Sequence, residues 1–208
     1  ALNTSGVITG LSTQAITLSD GTVSVSNANT VNALTTGIVT ATIEATSLTN
    51  LTNNLTDNVG GASDNAYTIV LATTDANGDA TNDATSNAAK LSELNALTSV
   101  AINAGIVTTV EGTATQINTL YGNVSDFTVS GTATLNGNEA YTLITDATVA
   151  AGDIHTLKNT LDSVSSANST TTGVINANVV TTLTGTAQDI SAVYEAGLTS
   201  KISNLGNE

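Results

Sequence analysis

The 208-residue sequence contains no cysteine, proline, methionine or tryptophan. Without cysteine there can be no disulfide, zinc–thiolate site or thiol nucleophile. Without proline every residue keeps a backbone N–H, which favours ladders and helices along most of the chain. With one Phe and four Tyr as the only aromatic residues, the core must consist mainly of Ala, Val, Ile and Leu, which suits layered stacking.

Positive charge is nearly absent as well. Three lysines and no arginine stand against 17 acidic residues, for a formal net charge of −14. Contacts to nucleic-acid phosphates and to anionic membranes depend on Lys and Arg, so neither partner is expected. No apolar run approaches the ~18 residues of a membrane span. We expect the counterions to be cations, including divalent ones.

The clearest positive feature is an internal repeat. Residues 105–121 return as residues 178–194, and residues 66–69 return as residues 140–143. Such self-similarity is the signature of repeat architectures, and it predicts units at 1–64, 65–138 and 139–208. Tyr121 and Tyr194 are equivalent in this repeat, as are Tyr67 and Tyr141, so we expect all four to pack at repeat junctions.

Apolar spacing alternates between two modes. Runs rich in Val, Ile, Thr and Tyr predict short strands at 15–18, 38–43, 67–72, 100–104, 127–129, 141–144 and 174–177. Between them, spacings of three and four predict helices of about 8–12 residues, with Thr113, Asp153 and Thr186 as candidate N-caps. The fold predicted is an α/β repeat solenoid of short parallel strands and short helices. The alternative is an all-β solenoid in which the helical stripes are turns.

The ends of the sequence also fit a repeat. Residues 202–208 can be laid over residues 8–14, which lead into a strand, and Gly137-Asn138-Glu139 likewise precedes a strand. The chain therefore stops where another repeat is expected to begin. We interpret it as an excerpt from, or a stackable unit of, a longer array.

Two phrases, TTGVINANVVTTLTGTAQDISAVYEAG and GLTSKISNLGNE, resemble repeats of very large cell-surface proteins of cyanobacteria. Those proteins often carry haemolysin-type calcium-binding segments elsewhere. The resemblance implies an extracellular or cell-surface location and a scaffold or adhesive role. The calcium-binding nonapeptide of the haemolysin type is absent here, because residues 60–64 are only a fragment of it.

The best chemical motif is the acidic stretch at residues 75–83. Its oxygen-bearing side chains at alternate positions can converge on a hard cation such as Ca²⁺; the candidate ligands are Asp75, Asn77, Asp79 and Asp83. The spacing departs from the EF-hand in its glycine and its last ligand. A solvated insertion loop between repeats is the competing interpretation, since Asp, Asn and Gly are ordinary turn residues.

No motif predicts an enzyme. His155 has no marked nucleophile. The glutamates at 93, 111, 139 and 195 are scattered, so we expect them on a solvated acidic face. We therefore expect a structural extracellular protein that stacks, through self-association or further repeats of its chain, into a rod, filament or surface layer. The alternative is an adhesin or phage tail-fibre-like glycan-binding module. A polysaccharide lyase is disfavoured by the three lysines.

Overall fold

Helical spacing in the sequence becomes helix in the computed structural model, which describes residues 12–57, 65–145 and 147–205. The apolar stripes form the buried faces, for example Leu48 and Leu51, or Leu91 and Leu94. The all-β alternative is therefore wrong. The six helices in these residues are α1 (Val25–Asn32), α2 (Leu48–Asn54), α3 (Ala88–Asn95), α4 (Ala114–Gly122), α5 (Ala151–Ala167) and α6 (Ala187–Leu198).

Side-chain caps start five of these helices. Thr113 and Thr186 accept the backbone N–H groups of Gln116 and Asp189, as predicted, and Ser24, Ser47 and Asn87 cap α1, α2 and α3. The prediction for α5 was wrong. That helix begins at Ala151 without a side-chain cap, so Asp153 lies in its first turn. It has 17 residues, more than the predicted 8–12.

The strands are short and, apart from one hairpin, parallel. The hairpin is β6–β7, next to a 3-10 helix at Val124–Phe127. The strands are β1 (Ile16–Thr17), β2 (Val39–Thr42), β3 (Ala66–Thr68), β4 (Thr85–Asn87), β5 (Thr109–Gly112), β6 (Thr128–Val129), β7 (Thr132–Ala133), β8 (Ala140–Leu143), β9 (Thr148–Ala150), β10 (Ile175–Asn176), β11 (Thr182–Thr184) and β12 (Ile202–Ser203).

Strand order follows the chain. One parallel sheet is ordered β1-β2-β3, a second β4-β5-β8-β10-β12, and β9 pairs with β11. Parallel neighbours need a crossover connection, and helices provide most of these connections. The predicted strand at 100–104 is wrong, because only Asn103 forms a bridge there, with Val70. Of the predicted strand at 127–129, Thr128 and Val129 lie in the antiparallel hairpin, and Phe127 ends the 3-10 helix.

The helices pack in sequence, each on the next, from α1 to α6. Their buried faces and those of the sheets form one apolar cluster that runs from Val23 to Ile202. None of the described helices has the length and apolarity needed to cross a bilayer. The protein is thus an α/β protein with parallel sheets, while the unit boundaries at 64/65 and 138/139 stay a prediction.

Candidate functional site

The predicted calcium loop is a tight turn organised by Asp75. Its Oδ1 atom accepts the backbone N–H groups of Asn77 (2.8 Å) and Asp79 (3.0 Å). The Asp75 N–H in turn donates to the Asp79 carbonyl, and Gly78 adopts a φ of +88°. Asp75 therefore has a local structural role, as expected of an Asp at the start of a turn.

Asp83, the fourth candidate ligand, is directed to a different element. It is buried, and its Oδ2 atom accepts the backbone N–H of Leu48 at 2.9 Å, at the start of α2. Burial raises the pKa of the Asp83 carboxyl, partly offset by the Leu48 hydrogen bond. The N-terminus of a helix favours such an acceptor, so this side chain joins the loop to α2.

No three acidic or histidine side chains converge on a possible metal position within the described residues. Asp75 and Asn77 instead border a cavity of about 180 Å³ that Glu44, Thr46 and Asn50 also line. Glu44 was missed in the sequence because it lies far from the motif. These oxygen-bearing side chains suit a hard cation, and calcium binding stays a prediction.

His155 lies near a carboxylate, but not in a catalytic order. Its Nδ1 atom is 3.7 Å from Asp189 Oδ1, while the Thr186 hydroxyl donates to Asp189 Oδ2 at 2.7 Å. In an acyl-transfer triad the imidazole stands between the hydroxyl and the carboxylate. Here the carboxylate is in the middle, so the imidazole cannot take the hydroxyl proton directly.

The most complete polar cluster surrounds Glu139, which is buried just before β8. Its Oε2 atom accepts the hydroxyls of Tyr121 (2.7 Å) and Tyr141 (2.9 Å) and the N–H of Gly137 (3.0 Å). Its Oε1 atom accepts the N–H of Asn136 at 2.9 Å. Sequence reasoning placed Glu139 on a solvated surface. The cluster instead joins helix α4 to strand β8.

The tyrosines of this cluster contact each other edge to face, with ring centroids 5.5 Å apart. The pKa of Tyr121 is raised well above its ordinary value. The largest cause is burial of the hydroxyl, and the nearby Tyr141 and Glu139 contribute further. Burial and Glu139 likewise raise the pKa of Tyr141. Both hydroxyls therefore stay protonated and act as donors, which is what the carboxylate of Glu139 requires.

A similar junction occurs one repeat earlier. Asn65 replaces Glu139, and its Nδ2 atom donates to Asn32 Oδ1 (2.8 Å) and to the Tyr67 hydroxyl (2.9 Å). Asn65 Oδ1 accepts the N–H of Val39 at 2.8 Å. Burial raises the pKa of Tyr67 to about 12, with a further contribution from Asp57. Tyr67 and Tyr141 are thus both buried, as predicted, while their position between repeat units stays a prediction.

One helix position recurs at these junctions, eight residues after the N-cap. Asn32 in α1 and Tyr121 in α4 occupy it. Asn95 in α3 does so too, and its Nδ2 atom donates to Asp126 Oδ2 at 2.9 Å. In each case the partner is a polar residue that follows later in the chain. We call this helix position the junction position.

Tyr194 has the junction position in α6 and is 42% exposed, whereas Tyr121 is 2% exposed. The expectation that Tyr194 packs as Tyr121 does is therefore wrong for the described residues. The reason is that α4 lies between α3 and α5, while α6 packs on α5 and β12. Leu198, 87% exposed, extends the apolar surface.

The exposed side chains of Tyr194 and Leu198 border a groove of about 520 Å³. We call the surface around it the C-terminal face; it comprises Val174, Tyr194, Leu198, Ile202 and Leu205.

No protein family, characterised protein or solved structure matches the chain. The candidate sites therefore rest on the geometry of this chain alone.

Proposed function

We propose that this chain is a structural repeat protein, an α/β solenoid whose units stack into an elongated rod, filament or surface layer. The main support is the chain-order packing, in which successive strands pair in parallel and each helix packs on the next. In such architectures each unit contacts its neighbours, and one core extends along the stack. The resemblance to cyanobacterial surface repeats supports an extracellular location.

Assembly is the proposed mechanism. A unit at the end of a stack has a sheet edge and an apolar helix face that another unit can cover, either in the same chain or in a second molecule. The net charge of −14 keeps separate rods apart in low salt, and divalent cations would weaken that repulsion. We therefore expect lateral association to depend on cations and end-to-end stacking to depend less on them.

Small-angle X-ray scattering and negative-stain electron microscopy test this proposal directly. We expect an elongated particle whose length grows with protein concentration, while its cross-section stays constant. Added magnesium should increase side-by-side association before it changes the length. A particle of fixed size and near-spherical shape at every concentration would contradict the stacking mechanism.

Calcium binding at the cavity beside residues 75–79 is the second part of the proposal. At a free calcium concentration of ten times the dissociation constant, binding stabilises the protein by about 1.4 kcal/mol. This should raise the melting temperature by about 3–6 °C for a chain of this size. Glu44→Gln should remove the shift, because Glu44 lines the cavity, whereas Glu93→Gln should keep it, because Glu93 is exposed on α3. A melting temperature unmoved by calcium and by chelator would exclude the site.

The glycan-binding alternative would be favoured by exposed aromatic side chains on adjacent units. Tyr67, Tyr121, Phe127 and Tyr141 are all buried, and Tyr194 alone among the aromatic residues is exposed. No observation therefore favours this alternative over stacking, and it stays a prediction for glycan-array binding to test.

A further inference from the structure

Strand β11 repeats strand β5 in sequence, but it has one neighbouring strand instead of two. In β5, Thr109 pairs with Thr85 of β4 on one side and with Ala140 of β8 on the other. In β11, the equivalent Thr182 pairs with Thr148 of β9, which takes the place of β4. Among the described strands none takes the place of β8. We call this open side of the strand, residues 182–184, the β11 edge.

Side chains at the β11 edge are more exposed than their counterparts in the first copy. Val110 of β5 is buried, whereas its equivalent Leu183 is half-buried. The helix that follows shows the same contrast, because Ala114 of α4 is buried and its equivalent Ala187 of α6 is exposed. The repeated sequence is thus covered in the first copy and open in the second.

Strand β8 and helix α5 cover the first copy. Strand β8 lies beside β5 in parallel, with Tyr141 next to Val110, and the Ala140 N–H donates to the Thr108 carbonyl at 2.9 Å. Helix α5 packs along α4. A partner for the β11 edge must therefore offer a parallel strand followed by a helix.

The chain has another strand–helix segment of this kind near its N-terminus. The sequence AITL at 15–18 matches AYTL at 140–143, and DGTV at 20–23 matches DATV at 146–149. Helix α1 then follows β1 as α5 follows β8. The first strand and helix of the chain therefore repeat the pair that covers β5 and α4.

Strand β1 also matches β8 in its pairing. It places Ile16 next to Val39 of β2, and β8 places the equivalent Tyr141 next to Ile175 of β10, both in parallel. On its other side β8 binds β5, whereas β1 has no second neighbour among the described strands. We call this open side of β1, residues 15–18, the β1 edge. It corresponds to the side of β8 that binds β5.

The β1 edge is exposed in the same manner as the β11 edge. Ile16 is half-buried, whereas Tyr141 is buried. Leu18 is half-buried, whereas its equivalent Leu143 is buried. Each edge therefore has one half of a contact that is complete between β5 and β8.

Neither edge is protected by charge. Residues 12–19 and 181–188 contain no acidic or basic side chain, in a chain with a net charge of −14. Edge strands that must stay unpaired commonly carry charged residues or proline. The uncharged edges are thus suited to pairing, and their approach is free of direct charge repulsion.

We propose that the β11 edge of one molecule binds the β1 edge of a second copy of this chain. Strand β1 adds in parallel to β11 with Ile16 next to Leu183, and α1 packs on the first turns of α6. The contact rebuilds between two molecules the one that β5 and α4 make with β8 and α5 within one. It joins two different surfaces, so it can repeat from molecule to molecule. This inference rests on the proposed stacking function and specifies the surfaces that stack.

Paired cysteines test the contact directly, because the chain has no cysteine of its own. Thr17 and Thr184 are exposed, and the proposed register places them opposite each other, as Thr142 and Glu111 are within one molecule. A mixture of Thr17→Cys and Thr184→Cys proteins under mild oxidation should therefore form the mixed disulfide in about tenfold excess over either homodimer. Isotopic labelling of one protein identifies the mixed product by mass spectrometry.

Thr40→Cys provides the matched control in place of Thr17→Cys. Thr40 is also an exposed strand threonine, and it pairs with Thr17 in the adjacent strand. In the proposed contact it lies two strands away from Thr184, at about 10 Å, which is beyond the reach of a disulfide. Equal yields of mixed disulfide from Thr17→Cys and Thr40→Cys would overturn the proposal.

A mixing experiment with charged variants provides a second measurement. Ile16→Glu removes the β1 edge and keeps the β11 edge, while Leu183→Glu does the reverse. Each variant alone should sediment as a monomer, with the circular dichroism of the parent. Their equimolar mixture should form dimers that grow no further, because one intact edge of each kind remains. Monomers alone in the mixture, or rods from either variant alone, would overturn the proposal.

These results separate the inference from the proposed function. Rods from the parent, without the mixed disulfide and without dimers in the mixture, would leave stacking intact and remove these two edges from it. The mixed disulfide and the dimer, with a parent particle of fixed size, would support the contact and show that it closes into a ring, contrary to the proposed rod.

Discussion

Replacing Glu139 with Ala is expected to destabilise the protein by about 3–5 kcal/mol, the cost of removing one member of a buried, hydrogen-bonded polar cluster. The change leaves two buried tyrosine hydroxyls and the N–H groups of Asn136 and Gly137 without their acceptor. Each such group costs about 1–3 kcal/mol if nothing replaces the bond. For a chain of this length the melting temperature should fall by about 6–20 °C.

Urea unfolding followed by circular dichroism measures this change, and hydrogen exchange shows where stability is lost. We expect the largest loss of protection in α4 and β8, which the cluster joins. Glu139→Gln should cost less, because its amide oxygen can still accept hydrogen bonds. The control is Glu93→Ala on the exposed side of α3, which should stay within about 0.5 kcal/mol of the parent.

Comparable losses in Glu139→Ala and Glu93→Ala would show that the cluster does not stabilise the junction. A double-mutant cycle with Tyr121→Phe refines the test, because residues that share a hydrogen bond are not independent. The two changes together should cost less than the sum of their separate costs.

Gly173→Ala is the second change for which a large loss is expected. A Cβ atom at this position would overlap the Glu139 carbonyl oxygen and lie 2.7 Å from its carbonyl carbon and 2.9 Å from the Tyr141 ring. The Gly173 N–H also donates to the Gly137 carbonyl at 2.9 Å. Backbone rather than a flexible side chain is in the way, so β8 and β10 must separate, at a cost of about 3 kcal/mol or more.

Gly122→Ala provides the matched control, because a Cβ atom there meets nothing within 4 Å. Gly122 is the last residue of α4, and alanine in a helix is favoured over glycine by up to about 1 kcal/mol. The two glycine variants should therefore shift the urea midpoint in opposite directions. A Gly173→Ala protein as stable as the parent would contradict the close packing of Gly173 against Glu139 and Tyr141.

The helices were predictable because their signals are local. An apolar stripe with spacings of three and four, together with a cap such as Thr113, is encoded within about ten residues. Strands β4, β5, β9 and β11 were missed for the opposite reason. Each has three or four residues and ends no more than two residues before a helix, so it is too short to show alternation, and only its neighbours in the sheet define it.

The polar junctions were beyond sequence reasoning because their partners are distant in the chain. Nothing near Glu139 indicates that Tyr121 will donate to it, and nothing near Asp83 indicates that Leu48 will. An isolated carboxylate is ordinarily expected in solvent. The repeat did identify the equivalent tyrosines, but equivalence in sequence does not give equal burial, because α4 packs between α3 and α5 whereas α6 packs on α5 and β12.

The chain-order pairing of parallel strands has a mechanical consequence. In the proposed solenoid the strands of each sheet, β1 to β3 in one and β4, β5, β8, β10 and β12 in the other, lie side by side along the stack, so tension along the stack would act across the hydrogen-bonded ladders. Such a force opens the ladders one after another instead of shearing many bonds together. If each unit of the proposed solenoid depends mainly on its neighbours, the protein should lengthen under tension in a series of small steps and dissipate energy at each one.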